Sequence, residues 1–485
     1  MPLTIEQIIE QVKKNDADAD VTMLSLAYEY AEKAHRGQKR KSGEPYIQHS
    51  LETALTLATI RSELDVVIAG LLHDVPEDTN FTINDIEKNF GKKIAFLVNG
   101  VTKLGKIKYR GIERYTESLK KMFIAMAEDI RVIIIKFADR IHNLKTLDSL
   151  PLEKQLRVAN ESMEIYGPIA GLLGIWHFKH QIEDLCFQYL HPEEYKKLEY
   201  KYAIEQKIEN QQYIEKTKLI LAPQLKEENI NFEIIGRFKS LHSIFLKMQR
   251  KDRKFSEIYD VFALRIIVDT IADCYKTVGI IHSLWKPKSH RFKDYIALPK
   301  PNGYRALHTT VFGLTGKVTE FQILTRTMYE ESLYGIAAHW YFKSQKPRLE
   351  QQPRWIQDIL NIMRQTKDSE EFVSDIKLSV FKDRIFVFTP KGDVIDLPEG
   401  STPVDFAYAV HTEIGNKCVG AMVNDRISTL DATLKSGDSI EIITAQNRVK
   451  PGKDWLKVAK THRARSKIKQ TIKKESGFRR YIPWG

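Results

Sequence analysis

The stretch Val66–Thr79, VVIAGLLHDVPEDT, decides how the first third of the chain is read. Seven apolar or small residues lead into His73-Asp74; Pro76, Glu77 and Asp78 follow. The run is too short to span a bilayer, which takes about 18 or more apolar residues. It therefore reads as a buried helix that delivers an imidazole and a carboxylate at its C-terminal end. Pro76 has no amide proton with which to continue that helix. Upstream, EPYIQHS contributes His49; downstream, KFADRIHNL contributes Asp139. Two imidazoles and two carboxylates in such settings suit one divalent cation, whether manganese, iron or zinc, with positions left open for water. Glu77 and Asp78 stay free to activate an attacking water or relay its protons. Arg140, Asn143 and Thr146 could face substrate phosphates or ribose.

A chain of 485 residues predicts two to four domains. No apolar run is long enough for a membrane span, so no membrane partner is expected, and the amphipathic start MPLTIEQIIEQVKK is unlike a signal peptide. Three widely spaced cysteines, Cys186, Cys274 and Cys418, form neither a disulfide framework nor a zinc pattern, which predicts a reducing cytoplasm. The net charge of +12 favours phosphate-bearing ligands or RNA. The excess is steepest from Arg448 to Arg480, with 13 Lys/Arg against two acids.

Apolar residues at three-and-four spacing predict an almost all-helical region over 1–195. Short β-rich runs (NFEIIGRF, VFALRIIV, DYIAL, ALHTTVFG, VTEFQIL) with helices between them predict an α+β or α/β domain over 196–345. Residues 346–380 read as a polar helical linker. A ββαββ unit of ubiquitin-like grasp is expected over 381–445, with TPVDFAYAVHTEIG as its helix, and 446–485 as a basic helical tail.

The middle domain suggests the opposite chemistry to the first. Arg237 and Lys239 leave a strand, and Ser243 and Lys247 lie four apart on one helix face, so four phosphate-compatible groups converge. Arg265 lies within a β-run. Arg291, Lys293, Lys300, Asn302 and Tyr304 surround a glycine turn; the cations suit a polyphosphate and the tyrosine a base. Glu320 and Gln322 share one strand face. Asp260 and Glu320 are candidate magnesium ligands, and Glu320 could accept a ribose hydroxyl proton.

AHRGQKRKSGEPYIQHS, LLHDVPEDT, FGKKIAFLVNGVTKL and ADRIHNLKTL resemble the HD-type hydrolase domain of the long Rel/SpoT family of alarmone enzymes. GRFKSLHSIFLKM, RFKDYIALPKPNGYRALHTTV and VTEFQIL resemble its synthetase domain, and RIFVFTPKGDVIDLP with AVHTEIG its TGS domain. The resemblance implies a multidomain fold: an all-α hydrolase domain, an α+β nucleotidyltransferase-like synthetase domain and a small β-grasp TGS domain. It implies manganese on His49, His73, Asp74 and Asp139, with Glu77 and Asp78 promoting water attack on the 3′-pyrophosphate of (p)ppGpp. Arg40, Lys41 and Ser42 would hold the guanine, with Asn143 and Thr146 nearby. In the middle domain it implies magnesium-dependent transfer of pyrophosphate from ATP to the 3′-hydroxyl of GDP or GTP. There Arg237, Lys239, Ser243 and Lys247 would serve ATP; Tyr304 would stack on guanine with Asn302 and His308 alongside. His411 would contact the acceptor end of uncharged tRNA, and tRNA and the ribosome are expected partners through TGS and the tail. Regulatory modules beyond TGS are expected to be lacking. Leu324, Tyr329, Ser332, Leu333, His290, Arg305 and Ala306 depart from the family pattern. The alternative they raise is a hydrolase whose middle domain only senses nucleotide.

Overall fold

Helix α4 (Leu64–Leu72) is built from the decisive stretch, and Val66 through Leu72 are all buried. Each such aliphatic side chain stabilises the fold by about 1.5–3 kcal/mol. The other helices of this part of the chain are, in order, α1 (Ile5–Asn15), α2 (Thr22–Ala34), α3 (Ile47–Thr59), α5 (Val75–Asp78), α6 (Ile83–Gly105), α7 (Gly111–Glu128) and α8 (Ile130–Lys145). They are followed by α9 (Leu152–Glu161), α10 (Gly167–Leu172), α11 (Trp176–Leu190) and α12 (Pro192–Glu199). In α4, a Cβ on Gly70 would lie 2.3 Å from Leu57 Cδ1. The bare glycine lets α3 approach α4 and carries His49 toward His73.

The computed structural model describes residues 2–105, 111–200, 207–251, 262–300, 303–334, 362, 376, 384–445, 451–452 and 454–478. Most of the expected linker 346–380 lies outside the described residues, as do Asp260 and Asn302. The chain divides into two compact units, residues 1–108 with 124–346, and 109–123 with 347–485. Among the described residues no helix is long and apolar enough to cross a membrane.

Long periodic stretches break where apolar spacing alone runs on. Leu51–Asp74 is interrupted between Thr59 and Leu64, with Arg61 at φ 55. The stretch Tyr115–Leu147 breaks at Asp129, whose carboxylate accepts the Arg131 amide and caps α8. Between α9 and α10 the backbone makes a π turn, Ser162–Tyr166. Caps and turns are polar backbone events, to which hydrophobic periodicity is blind.

After α13 (Lys207–Glu227) come β1 (Phe232–Phe238), α14 (Leu241–Lys251), β2 (Phe262–Val268), α15 (Ile271–Leu284), β3 (Lys293–Asp294), β4 (Leu307–Phe312), β5 (Val318–Thr325) and α16 (Arg326–Tyr334). The sheet order is β1-β2-β5-β4-β3, with β2 and β5 parallel and the other pairs antiparallel. The expected strand DYIAL is instead a turn after the two-residue β3: Asp294 Oδ1 accepts the amides of Ile296 and Ala297. Helices α11 and α12 pack on α14, and α11 also meets α16. Asp184 of α11 accepts the His242 amide at 2.9 Å, and Arg61 Nη1 pairs with Glu330 Oε1 at 2.8 Å.

The second unit differs from the expected ββαββ order. It runs β6 (Arg384–Phe388), β7 (Val394–Pro398), α17 (Pro403–Val410), α18 (Thr412–Lys417), β8 (Cys418–Val423), β9 (Arg426–Ser428) and β10 (Ile440–Thr444). The strands form a hairpin β6-β7 and a sheet β10-β8-β9. The hairpin turns as expected at Gly392, with φ 87. The expected single helix is two, because His411 is extended (φ −157, ψ 143) and its Nδ1 accepts the Glu413 amide. A short helix α19 (Trp455–Val458) and the basic α20 (His462–Phe478) follow.

Asp405 holds this unit together. Its buried carboxylate accepts the Thr402 amide and hydroxyl, the Lys460 and Thr461 amides, and the Thr461 hydroxyl, all at 2.8–2.9 Å. Asp405→Ala would leave those donors unpaired at a cost of roughly 2–4 kcal/mol. The expected outcome is early hydrogen exchange at the α20 amides; unchanged protection there would disprove the anchoring role.

Candidate metal centre and nucleotide sites

Helix α4 ends at Leu72 because Pro76 offers its carbonyl no amide proton. His73 is then pinned: its Nδ1 lies 2.7 Å from the Gly70 carbonyl, which can only accept, so Nδ1 carries the proton. That leaves a bare Nε2, buried and without a hydrogen-bond partner. Asp74 Oδ1 lies 3.1 Å from this nitrogen. His49 on α3 points its Nε2 to Asp74 Oδ2 at 3.3 Å and to Asp139 Oδ1 at 3.4 Å. One ligand atom each from His49, His73 and Asp74 falls within a 4.8 Å cluster. A bare buried nitrogen facing carboxylates is a donor set that fits a divalent cation.

The electrostatics agree. Burial opposes charge on His73, but Asp74 and Asp139 outweigh it and push the imidazole up to about 9, so without a cation a proton takes its place on Nε2, and Nε2 is bare only in the neutral ring. Burial likewise opposes ionisation of Asp139, and Lys136 and the two histidines outweigh it, holding the carboxyl well below its usual range. Lys136 Nζ lies 2.7 Å from Asp139 Oδ2. Partial burial raises the Glu77 carboxyl; Lys136 pulls the other way, while Asp74 and Asp78 add to the rise. The site therefore favours a cation and holds a carboxyl with raised proton affinity beside it.

A cavity of about 430 Å³ opens next to Asp139 and includes Lys41, Ser42, Asn143 and Thr146 in its walls. Arg40 also lines it, but its guanidinium is engaged with His49 Nδ1 (3.0 Å), His142 Nδ1 (2.8 Å) and the Asn143 carbonyl. Arg140 is turned to the π turn, with Tyr166 Oη at 2.8 Å and Glu161 at 3.3 Å. Three residues not singled out from sequence belong to the centre: Tyr46, His142 and Lys136. Tyr46 Oη lies 2.8 Å from Asp74 and 2.6 Å from Asp78. Its place three residues before His49 on one helical face was the available signal.

In the sheet, the β2–β5 pairing sets Arg265 beside Gln322. Gln322 Oε1 accepts from Arg237 at 3.1 Å and Arg265 at 3.2 Å, while its Nε2 donates to Glu320 at 2.9 Å. Burial raises Glu320, but His308 and Gln322 outweigh it and hold the carboxyl below its usual range. His308 bridges Glu320 (Nδ1, 3.4 Å) and Tyr304 (Nε2, 2.8 Å). Tyr304 packs with Ile267, Ala306, Leu324 and Met328, and Lys300 Nζ sits 5.4 Å from its ring centre. Lys239, Ser243 and Lys247 are partly buried at the start and on the face of α14; Arg291 and Lys293 are exposed.

The unusual residues compensate one another. Leu324 and Ala306 share the Tyr304 cluster, and Tyr329 flanks it with its ring 5.1 Å from the Arg265 guanidinium. Arg305 pairs with Glu331 at 2.8 Å. His290, where glycine was expected, has φ 58, a conformation that costs a side chain about 1–2 kcal/mol. His411 is exposed on the second unit.

A helical bundle with a His/Asp cation centre, followed by a mixed-sheet domain with a buried Arg–Gln–Glu array, defines an HD-type protein carrying a second, nucleotidyltransferase-like fold. Family profiles agree: "HD domain" matches residues 27–176, "Region found in RelA / SpoT proteins" 236–347, and "TGS domain" 385–444. The bifunctional (p)ppGpp synthase/hydrolase SpoT of Escherichia coli is 43% identical over 477 residues, 97% of this chain and 67% of its own. The guanosine-3′,5′-bis(diphosphate) 3′-pyrophosphohydrolase of Aquifex aeolicus is 45% identical, covering 95% of this chain and 66% of its own. A GTP pyrophosphokinase of Myxococcus xanthus is 43% identical, covering 96% and 62%. The chain belongs to the RelA/SpoT family, and it spans about two-thirds of the length of these relatives.

Proposed function

We propose that the chain both removes and makes (p)ppGpp. The single observation that carries the reading is the convergence of His49, His73, Asp74 and Asp139 beside the basic cavity. Manganese held there would polarise the phosphoryl oxygens and the attacking water. Glu77 and Asp78 take up the proton of the water as its oxygen bonds to the phosphorus on O3′. The P–O3′ bond breaks, the ribose 3′-hydroxyl regains a proton, and pyrophosphate leaves. Lys41, Ser42, Asn143 and Thr146 hold the nucleotide in the cavity, and Arg40 and Arg140 brace its walls.

In the second reaction Glu320 takes the proton of the GDP or GTP 3′-hydroxyl. That oxygen bonds to the ATP β-phosphorus as the bond to the α-phosphate bridge breaks, and AMP leaves. Arg237, Lys239, Ser243 and Lys247 bind the ATP phosphates; Tyr304, Asn302 and His308 hold the guanosine. Asp260 and Glu320 are the residues proposed to hold magnesium. The packing of Leu324 with Tyr304 and of Tyr329 over the Arg265 guanidinium supports retained synthesis over a sensor-only domain. Helices α9 to α12, of which α11 and α12 pack on α14 and α11 on α16, are the proposed coupler of the two activities. His411 and the basic α20 are the proposed contacts for uncharged tRNA and the ribosome.

The test is thin-layer assay of the purified chain in both directions. Manganese-dependent conversion of ppGpp to GDP and pyrophosphate, lost after chelation and restored by manganese, is expected. ATP and GDP incubated with Asp74→Ala should yield ppGpp; no product would leave the sensor reading standing.

A further inference from the structure

We infer that Asp184 of α11 is a positioning residue for synthesis: it fixes the N-terminus of α14, the helix that carries Ser243 and Lys247. The inference rests on the reading of those two residues as ATP-phosphate ligands. Asp184 belongs to the helical region, 58 positions before its partner, yet its Oδ1 accepts the His242 amide at 2.9 Å. Burial raises the Asp184 carboxyl, and the amides of His242 and Leu241 pull the other way, so both amides face it.

A helix begins with amides that have no partner within it. In α14 the Ile244 amide donates to the Ser240 carbonyl at 3.1 Å, and the amides of Leu241, His242 and Ser243 come before that bond. Ser240 Oγ accepts the Ser243 amide at 3.3 Å, and Asp184 accepts that of His242. The start of α14 is therefore capped in part by its own segment and in part by α11. A helix start with free amides draws phosphate. Here a carboxylate already sits at the amides, which leaves the phosphates to the side chains of Ser243 and Lys247. Much of the remaining α11–α14 contact is apolar: Phe187 packs with Ile244 and Phe245, its ring 4.8 Å from that of Phe245. Apolar contacts hold two helices together without direction, whereas a charge-assisted hydrogen bond sets where one helix starts against the other. Ser243 follows His242 directly and Lys247 lies about one turn further on, so a shift at the cap moves both.

The experiment measures ppGpp synthesis by the whole chain with ATP and GDP varied separately, and ppGpp hydrolysis beside it. Asp184→Ala is expected to raise KM for ATP by about 5- to 30-fold, while KM for GDP and the hydrolysis rate stay within about twofold. Asp184→Asn, whose amide oxygen still accepts from the backbone, should stay within about threefold for ATP, a rescue that loss of charge alone would not give. Hydrogen exchange at the start of α14 should quicken in Asp184→Ala and not in Asp184→Asn. Circular dichroism melts establish folding; where Asp184→Ala does not fold, Asp184→Ser, polar but one bond shorter, takes its place. An ATP KM that is unchanged or lowered in the folded variant, or an equal rise for GDP, overturns the inference. Failure of the unaltered chain to make ppGpp would instead overturn the synthesis reading beneath it.

Discussion

His73→Ala is expected to abolish release of pyrophosphate from ppGpp, with kcat/KM falling at least about a thousandfold, or roughly 4 kcal/mol of transition-state stabilisation. The size follows from the position of the lost nitrogen. His73 Nε2 is buried, has no hydrogen-bond partner and faces the Asp74 carboxylate, so no neighbouring group or solvent can replace it. Removing it also leaves Asp74 with His49 as its remaining imidazole partner, while Asp139 keeps His49 and Lys136. Raising manganese in the assay should recover little activity, because a three-ligand remnant binds more weakly and places the cation differently. Synthesis from ATP and GDP by the same variant should continue. Retention of manganese-dependent hydrolysis within tenfold of the unaltered chain would refute the assignment.

Glu320→Gln is expected to reduce ppGpp synthesis by about 10²- to 10⁴-fold while leaving hydrolysis within twofold. The substitution keeps the shape of the side chain and removes its charge. In the sheet, Glu320 stands at the end of a directed array: two arginines donate to Gln322 Oε1, and Gln322 donates to Glu320. His308 approaches the same carboxylate from β4. These donors stabilise the anion, so the group is ionised when it meets its substrate, as the proposed proton acceptor or cation ligand must be. An amide at 320 can neither take that proton nor serve as a charged ligand to magnesium. Formation of ppGpp by the variant at the unaltered rate would place the proton acceptor elsewhere. Rates in each direction, followed by thin-layer separation of labelled nucleotides, distinguish the two substitutions from a general loss of fold, since each should spare the other reaction.

The His/Asp cluster was legible in the chain because its pattern is local. His73-Asp74 ends an apolar run before Pro76, and Asp139 lies in a helix whose buried face repeats at regular spacing. Glu320 and Gln322 were legible together because alternate residues of a strand share a face. The broken helix at His411 was not, because TPVDFAYAVHTEIG carries apolar spacing through a point where the backbone is extended. Packing decides there: a Cβ on Gly415 would lie 2.5 Å from the Tyr408 ring, so the close return of α18 onto α17 depends on a bare glycine.

The sequence by itself pointed to the two chemistries proposed for the chain, to their order, and to the side chains proposed to carry them. Residue type, helical and strand periodicity and motif order are properties of short segments. Only the tertiary structure decided what those side chains do to one another. Arg40, which the resemblance gives to guanine, lies against His142 and Asn143, more than 100 positions away. Tyr304, proposed to hold guanosine, packs against Leu324 and Ala306 across the sheet. Such contacts depend on strand register and helix approach, which are set by the whole core and are not encoded in any one segment.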